Sequence, residues 1–291
     1  MMSSLGDLAK EAGLEPRITF IGGGNMTQAL VKGFLSAKVL PPSNITVSNP
    51  SQAKLQPLGA LGVNIRSAAD NPAVVRAAAP AILILSVKPH ILPGVLAACA
   101  AETRQCRLVL CLAAGISIAS ILRMVGDEEN ESGLALVRVM PTLAAQVGAS
   151  PTGVAVNDRV TPQMMEVVKR LLETVGSCHV VPEAQVDALN GLIAPGHAFT
   201  MLDAMADGAV KMGLPRPLAI RLASETILGA AKLQLESGQH PGELKNAVCS
   251  PGGTTIAGIH ALENNGFRGA VISCIEASAL RSRELDRLAK Q

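Results

Sequence analysis

Hydrophobic positions along the chain follow two patterns, and the pattern changes near residue 182. In the first part, short apolar or β-branched runs alternate with segments in which apolar residues recur at helical spacing. This alternation predicts a mostly parallel sheet with helices on both faces, an α/β fold. The predicted strands are 17–21, 44–48, 81–87, 108–112, 135–139, 153–156 and 178–181. The predicted helices include 25–37, 52–58, 90–100 and 162–175.

No convincing strand pattern follows residue 182. Glycine and proline at 213–215 and 238–241 mark helix ends and starts in this part of the chain. The predicted helices are 183–192, 197–212, 217–237, 241–248, 255–264 and 266–287. We therefore expect two domains, an α/β domain over residues 1–181 and an all-helical domain over residues 182–291.

Composition excludes several classes of protein. Hydrophobic residues make up 48% of the chain and charged residues 16%, so a large core can form and disorder is not expected. The net charge is +2 with both signs mixed, and four Phe without Trp or Tyr leave few rings to stack on bases, so no nucleic-acid partner is expected. The apolar stretches are too short or interrupted to span a membrane, and the first sixteen residues do not resemble a secretory signal. The six cysteines lack zinc spacing and read as core residues of a cytoplasmic protein without a metal.

The stretch TFIGGGNM (19–26) carries the first candidate chemistry. Gly22, Gly24 and Thr27 occupy the three positions of the G-x-G-x-x-G/A motif, after a predicted strand and at the start of a helix. Gly22 permits the tight turn, Gly24 lets a pyrophosphate approach, and the first helical residues, Asn25 and Met26, offer free N–H groups. Thr27 departs from the motif. The alternative interpretation is a strand–helix turn that binds nothing.

The end of the next strand, VSNPSQAK, separates the two nicotinamide cofactors. An NAD site usually has Asp or Glu there, which bonds the ribose 2′-hydroxyl. This chain has Ser48, Asn49 and Ser51, followed by Lys54. Because no carboxylate would repel a 2′-phosphate, the sequence favours NADPH, with NADH as the alternative. The same residues also suit an ordinary turn.

Six motifs occur in an order that resembles the pyrroline-5-carboxylate reductase family. They are FIGGGNM (20–26), SVKPH (86–90), CLAAGI (111–116), RVMP (138–141), DGAVKMGLP (207–215) and SPGGTTIAGIHALE (250–263). The resemblance covers nearly all of the chain after residue 16. It implies a Rossmann domain followed by an all-helical dimerisation domain, a homodimer or larger homo-oligomer, and NAD(P)H-dependent reduction of a cyclic imine that carries a carboxylate.

The resemblance also implies which residues form the site. Residues beside the cofactor would be Val87, Lys88, Pro89, Ala113, Ala114 and Gly115. Residues beside the substrate carboxylate would be Ser250, Gly252, Gly253, Thr254 and Thr255, where backbone N–H groups and hydroxyls meet a helix start. The alternatives are a solvated Lys88 and a capped loop at 250–255 that binds no ligand.

Three departures from the family pattern cluster near the expected substrate pocket. Thr142 stands where the family commonly has Asn, and Asn190 replaces a threonine whose hydroxyl is placed to bond the ring nitrogen of the substrate. The segment after Leu192 is two residues shorter than usual, with a helix break expected at Pro195. His197 follows it and is a candidate proton donor to the imine nitrogen, the alternative being a structural role.

We therefore predict an oxidoreductase that converts 1-pyrroline-5-carboxylate to L-proline, with Asn190, Thr255 and His197 as the candidate catalytic residues. Two alternatives remain open at this point. One is a reductase of a different cyclic imine in specialised metabolism. The other is a non-catalytic paralogue that binds a dinucleotide.

Overall fold

The fold is an eight-stranded sheet with helices on both faces, followed by a helical region. The structure, a computed structural model, describes residues 4–79 and 81–289. The strands are β1 Ile18–Ile21, β2 Ile45–Asn49, β3 Asn64–Ser67, β4 Ile82–Leu85, β5 Leu108–Cys111, β6 Ala135–Met140, β7 Ser150–Val156 and β8 Gly176–Val180. Their order in the sheet is β3-β2-β1-β4-β5-β6-β7-β8, and every neighbouring pair is parallel except β6 with β7. The predicted fold class is confirmed.

Fourteen α-helices complete the described part of the chain. They are α1 Leu5–Glu11, α2 Asn25–Ser36, α3 Gln52–Gly59, α4 Asn71–Ala78, α5 Leu92–Ala98, α6 Ala100–Thr103, α7 Ile118–Met124, α8 Pro162–Leu172, α9 Val186–Ile193, α10 Pro195–Lys211, α11 Arg216–Ser237, α12 Pro241–Ala247, α13 Thr254–Asn264 and α14 Phe267–Ala289. Short 3₁₀ turns precede β2, α4, β7 and α9. None of the described helices is long and apolar enough to cross a membrane.

The central strands are apolar along their whole length because both faces of the sheet are buried. In β4, Ile82 and Ile84 pack into a core with α2 and α8, whereas Leu83 and Leu85 pack into a second core with α4, α5 and α7. The same alternation between the two cores runs through β5 and β6. Successive side chains of a strand point to opposite faces, so a strand buried on both sides reads as a continuous apolar run.

Differences from the predicted elements have local causes. The pattern did not indicate β3, which lies at the edge of the sheet and has the polar, partly exposed sequence NIRS. The single helix predicted over 90–100 is two helices, α5 and α6, which meet at Cys99. The break predicted near Pro195 is present: α9 ends at Ile193, Ala194 is extended, and Pro195 begins α10.

Two compact units divide the described chain. The first runs to Ile193 and also includes the chain from Ala277 onward, and the second is Ala194–Glu276. Helix α14 therefore contributes residues to both units. The domain boundary predicted after residue 181 stays a prediction; it marks where the strands end, whereas the compact units divide at the α9–α10 break.

Candidate functional site

Topology places a groove at one edge of the sheet. Strand β1 pairs with β2 on one side and with β4 on the other, so the chain crosses over in opposite directions from this point. In open parallel sheets, ligands bind outside the carboxyl ends of the strands at such a switch point. Two adjoining clefts of about 290 and 580 Å³ lie there and share lining residues, among them Gly24, Lys54 and Lys88. We treat them as one groove.

The turn between β1 and α2 requires its glycines. Gly22 has φ +108, and a Cβ on it would lie 2.3 Å from the Ser86 carbonyl oxygen, so the turn leaves no room for a side chain. The Gly23 N–H donates to Asn49 Oδ1 at 3.0 Å. A Cβ on Gly24 would meet no protein atom within 4 Å, because this residue faces the groove.

The amino terminus of α2 is open. Its N-cap, Gly24, provides no side-chain cap, and the first turn contains no acidic residue. Four N–H groups at a helix start have no partner within the helix, and together with the helix dipole they attract an anion. Lys54 and Lys88 line the same groove, and none of the described residues that line it is Asp or Glu. The groove is therefore electropositive, as a site for a dinucleotide pyrophosphate must be.

Thr27, the departure from the glycine motif, is fully buried and bonded. Its hydroxyl donates to the Gly22 carbonyl at 2.6 Å and lies 2.9 Å from Ser86 Oγ. The side chain thus connects the β1–α2 turn to the loop after β4. The sequence motif did not suggest this role for Thr27 or any role for Ser86.

The polar residues at and just after the end of β2 have two roles: some make hydrogen bonds that stabilise the fold, and others line the groove. Ser48 is buried and donates to Asn71 Oδ1 at 2.5 Å. Asn49 accepts from the Gly23 N–H, and its amide donates to the Ser51 carbonyl at 3.2 Å, so its side chain fixes the glycine turn. Ser51 is the N-cap of α3, its side chain makes no capping hydrogen bond, and it lines the groove together with Lys54.

The larger cleft brings together predicted residues that are far apart in sequence. Its lining comprises Gly24, Asn25, Met26, Lys54, Ser86, Val87, Lys88, Pro89, Leu112, Ala114, Met140, Pro141 and Asn190. Asn190, on α9, is half-buried, and it is the lining residue that follows the last strand in the sequence. Two predicted neighbours of the cofactor lie behind this surface. Ala113 is buried in the core, and Gly115 packs against α14.

Thr142 does not line the groove, although it stands at a position where the family commonly has Asn. It is buried, and its backbone N–H donates to Ser150 Oγ at 2.9 Å. Its hydroxyl accepts from the Ala144 N–H at 3.3 Å at the start of a 3₁₀ turn. Thr142 therefore stabilises this turn.

The predicted carboxylate-binding residues lie in the second compact unit. Gly253 is the N-cap of α13, which has neither a side-chain cap nor an acid in its first turn. The Gly253 N–H donates to the Ser250 carbonyl at 3.0 Å, and a Cβ on Gly253 would lie 2.4 Å from Ser250 Oγ, so glycine leaves room for that hydroxyl. Gly252 has φ +67, while Thr254 and Thr255 begin the helix and are exposed. The segment is a second open helix start with hydroxyls beside it.

His197 lies in the same unit, near the start of α10. Its Nδ1 is 3.1 Å from Cys274 Sγ, at one end of an apolar cavity of about 530 Å³ that Met201, Met205 and Phe267 also line. The role predicted for His197 as a proton donor stays a prediction.

Buried thiols do not provide a nucleophile. Cys106 and Cys111 lie in the core, where burial raises the pKa of Cys106 to about 12 and that of Cys111 to about 11. Both thiols are therefore protonated at neutral pH and unreactive. Among the described residues, no group of three His, Cys, Asp or Glu side chains is arranged to hold a metal ion.

Comparison with known proteins identifies the family. A family model described as pyrroline-5-carboxylate reductase dimerisation matches residues 183–285, and one described as coenzyme F420-dependent NADP oxidoreductase matches residues 17–115. The pyrroline-5-carboxylate reductase of Methanosarcina acetivorans is 40% identical over 93% of this chain and 98% of its own. Pyrroline-5-carboxylate reductase 2 of Bos taurus is 39% identical over 94% of this chain and 85% of its own.

Solved structures agree. That of Plasmodium falciparum pyrroline carboxylate reductase, with NADP bound, matches with a TM-score of 0.81 at 27% identity, over 93% of this chain and 98% of its own. That of the Coxiella burnetii pyrroline-5-carboxylate reductase matches with a TM-score of 0.79 at 32% identity, over 92% and 98% of the two chains. The resemblance predicted from the sequence motifs is confirmed. The chain belongs to the pyrroline-5-carboxylate reductase family.

Proposed function

We propose that this protein is an oxidoreductase that reduces 1-pyrroline-5-carboxylate to L-proline with NADPH. The observation that carries the proposal is the groove, whose described lining combines an uncapped helix start, two lysines and Asn190 with no carboxylate. The extent of the similarity to pyrroline-5-carboxylate reductases supports it, since the Methanosarcina acetivorans enzyme matches 93% of the chain.

The groove fits a dinucleotide on physical grounds. The N–H groups of Asn25 and Met26 would receive the pyrophosphate, since Gly24 has no side chain to cover them. Ser51, the N-cap of α3, and Lys54, in the first turn of α3, would receive the 2′-phosphate that distinguishes NADPH from NADH. The cofactor between its pyrophosphate and its nicotinamide would be lined by Val87, Lys88, Pro89 and Ala114. When bound, NADPH supplies the hydride that reduces the C=N carbon.

Protein groups would hold and orient the imine. Asn190 has an amide that can donate to the ring nitrogen or to the carboxylate, and it lines the cleft beside Met140 and Pro141. Ser250, Gly253, Thr254 and Thr255 would receive the carboxylate at the open start of α13. Such fixed contacts raise the rate because the reacting carbons meet in a productive orientation.

A homodimer or larger homo-oligomer through the second unit is part of the proposal. The buried side chains between Ala194 and Glu276 in the isolated chain are those of Ala206, Ala219 and Ala223, while Phe199, Met212 and Ile272 are more than half exposed. Apolar surface on this scale is typical of an interface between subunits. The predicted cytoplasmic location stays a prediction.

A different cyclic imine is the second candidate substrate. The observation that favours it is Asn190, an amide at the position where the family has a hydroxyl. An amide reaches farther than a hydroxyl and can donate two hydrogen bonds, so Asn190 would suit an imine with a different ring size or substituent.

A steady-state assay of the purified protein tests the function. NADPH oxidation is followed with 1-pyrroline-5-carboxylate, 1-pyrroline-2-carboxylate and a six-membered cyclic imine carboxylate, and each is repeated with NADH. The proposal expects the highest kcat/KM for 1-pyrroline-5-carboxylate with NADPH. A higher value for another imine would establish the second candidate, and dinucleotide binding without turnover on any imine would establish a non-catalytic paralogue.

Thr255→Ala tests the carboxylate site within the same assay. Loss of one hydrogen bond to a charged group costs about 1.5–3 kcal/mol, so KM for the imine should rise at least tenfold. Thr226→Ala is the matched control, because Thr226 is an exposed threonine of α11 whose hydroxyl bonds only within its helix, to the Leu222 carbonyl at 2.7 Å. Equal KM values for the wild type and Thr255→Ala would show that the carboxylate binds elsewhere.

A further inference from the structure

The carboxyl-terminal part of α14 belongs to the first compact unit and packs against the loop whose Ala114 lines the larger cleft. Here Asp286 Oδ1 accepts from the Ser117 N–H at 2.8 Å and from Ser120 Oγ at 3.0 Å. Ser117 lies two residues after Gly115, in the same loop as Ala114, which lines the cleft. Asp286 therefore fixes the end of the 113–117 loop, although it stands 169 residues further along the chain.

Packing reinforces this contact. Gly115 has φ +69, and a Cβ on it would lie 2.7 Å from Leu285 Cβ and 2.9 Å from the Ser282 carbonyl oxygen. The middle of the loop thus rests directly on the backbone of α14. A loop held at both its middle and its end has little freedom to move Ala114 relative to the sheet.

The same turn of α14 also holds α9. The buried Ser282 donates to Asp187 Oδ1 at 2.7 Å, and Arg283 Nε lies 3.8 Å from Asp187 Oδ2. Asp187 is in the first turn of α9, which carries Asn190 one turn later. One helical turn therefore contacts both the loop that bears Ala114 and the helix that bears Asn190, and these two residues line the same cleft.

A partly buried ion pair connects the start of α7 to the turn before α9. Glu183, in the turn before α9, accepts from the Ile118 N–H at 2.7 Å and from the nearly buried Arg138 at 3.0 Å. Protein carboxylates thus occupy the amino terminus of α7, whereas that of α2 is left open for a ligand. This contrast indicates that the α7 start is used for positioning and not for anion binding.

We propose that Asp286 and Ser282 are positioning residues for hydride transfer, because they hold in place the 113–117 loop and α9, each of which contributes a residue to the lining of the cleft. This inference rests on the proposed function for its catalytic consequence. The positioning itself rests only on contacts within the first compact unit. Neither residue touches the groove, since neither is among the residues that line it.

Single-turnover kinetics of Asp286→Ala test the catalytic consequence. With NADPH equimolar to the enzyme and both well above the Kd, the rate constant of the first phase reports the geometry of the reacting groups, and the amplitude of that phase reports the fraction of folded enzyme. We expect the rate constant to fall by about tenfold, as small misplacements of reacting groups do, and the amplitude to be retained. The Kd for NADPH should change less than threefold, because Gly24, Lys54 and Lys88 are untouched. Asp286→Asn should keep the wild-type rate constant, since the Oδ1 of asparagine can accept from both the Ser117 N–H and the Ser120 hydroxyl.

Hydrogen–deuterium exchange gives a readout that does not depend on activity. In Asp286→Ala, the amides of 112–120 should exchange faster while those of β1 and α2 are unchanged. In Ser282→Ala, the faster exchange should lie in 186–193 instead. Glu284→Ala is the matched control, because Glu284 is on the same turn of α14 but is exposed and bonded to Arg281 at 2.8 Å. Glu183 is not a suitable test, since its loss would leave Arg138 buried without its partner.

The outcomes separate this inference from the proposed function. A rate constant within twofold of wild type, a loss of amplitude alone, or an equal effect of Glu284→Ala would overturn the positioning role. A wild-type protein that reduces no imine would overturn the proposed function, and the exchange data would still decide whether Asp286 and Ser282 hold the loop and α9.

Discussion

At the scale of single residues, Thr27 shows how a departure from a motif can be compensated. The motif favours a small residue there because helix and strand pack closely. Thr27 fits because its hydroxyl bonds the Gly22 carbonyl and approaches Ser86, so its extra volume is matched by polar contacts. The sequence predicted the glycine turn from the motif. It did not predict these bonds, because Ser86 is 59 residues away.

Thr27→Val should weaken NADPH binding. It keeps the volume and removes the hydroxyl, so the buried Gly22 carbonyl loses its donor at a cost of about 1–3 kcal/mol in unfolding free energy. We expect NADPH affinity to fall by at least threefold, because the turn that presents Gly24 is no longer tied to the Ser86 loop. Urea unfolding measures the stability, and quenching or enhancement of NADPH fluorescence measures the affinity.

Thr103→Val is the control for that experiment. Thr103 is also fully buried and donates to the Cys99 carbonyl at 2.8 Å, but it lies on α6 outside the groove. Its substitution should lower stability by less, since the Cys99 carbonyl keeps the Thr103 N–H as a donor at 2.9 Å, and it should leave NADPH affinity unchanged. If Thr27→Val bound NADPH like the wild type, the bond to Gly22 would be dispensable for the turn.

At the scale of elements, burial explains which strands and helices the sequence predicts. Strands buried on both faces, such as β4, read as apolar runs, and α8 shows a strong apolar stripe from Met164 to Leu172. The polar edge strand β3 shows no such pattern, since little of it is buried. Ala113 and Gly115 illustrate the limit for the site. The motif marks the loop but not which of its residues face the groove, because Ala113 is taken up by the core and Gly115 by packing against α14.

Ser51→Asp, at the start of α3, should change the cofactor preference. Asp is a good N-cap, so the fold should be retained, but the new carboxylate would stand at the end of β2 where NAD sites have one. Repulsion of a 2′-phosphate should lower kcat/KM with NADPH by about tenfold or more, which corresponds to about 1.4 kcal/mol. The kcat/KM of Ser51→Asp with NADH should stay within threefold of the wild-type value. Parallel steady-state assays with the two cofactors measure both effects.

Thr161→Asp provides the comparison for Ser51→Asp. It also places a carboxylate at a helix N-cap, that of α8, but outside the groove. We expect no change in cofactor preference from it. Equal losses with NADPH and NADH in Ser51→Asp would mean that Ser51 does not face the 2′-phosphate.

At the scale of the whole molecule, the two compact units differ in how they use apolar residues. The first unit buries them in two cores on the faces of the sheet. The second unit exposes large apolar side chains, so its apolar composition indicates an interface between subunits and not a core within one chain. Composition and family resemblance predicted this self-association. They did not predict that the end of α14 returns to the first unit, because the bonds of Asp286 span most of the chain.

Ile272→Glu should dissociate the proposed homo-oligomer. Ile272 lies on α14 in the second unit and is 67% exposed in the isolated chain, so a charge is harmless in a monomer but costly when buried between subunits. Light scattering during size-exclusion chromatography should give the wild type at least twice the monomer mass and Ile272→Glu the monomer mass at the same concentration.

Val147→Glu makes the same kind of change at a residue of the first unit that is 79% exposed, and it should leave the assembly intact. If Ile272→Glu kept the wild-type mass, this face of α14 would lie outside the interface, and if the wild type itself ran as a monomer, the exposed apolar surface would serve another purpose.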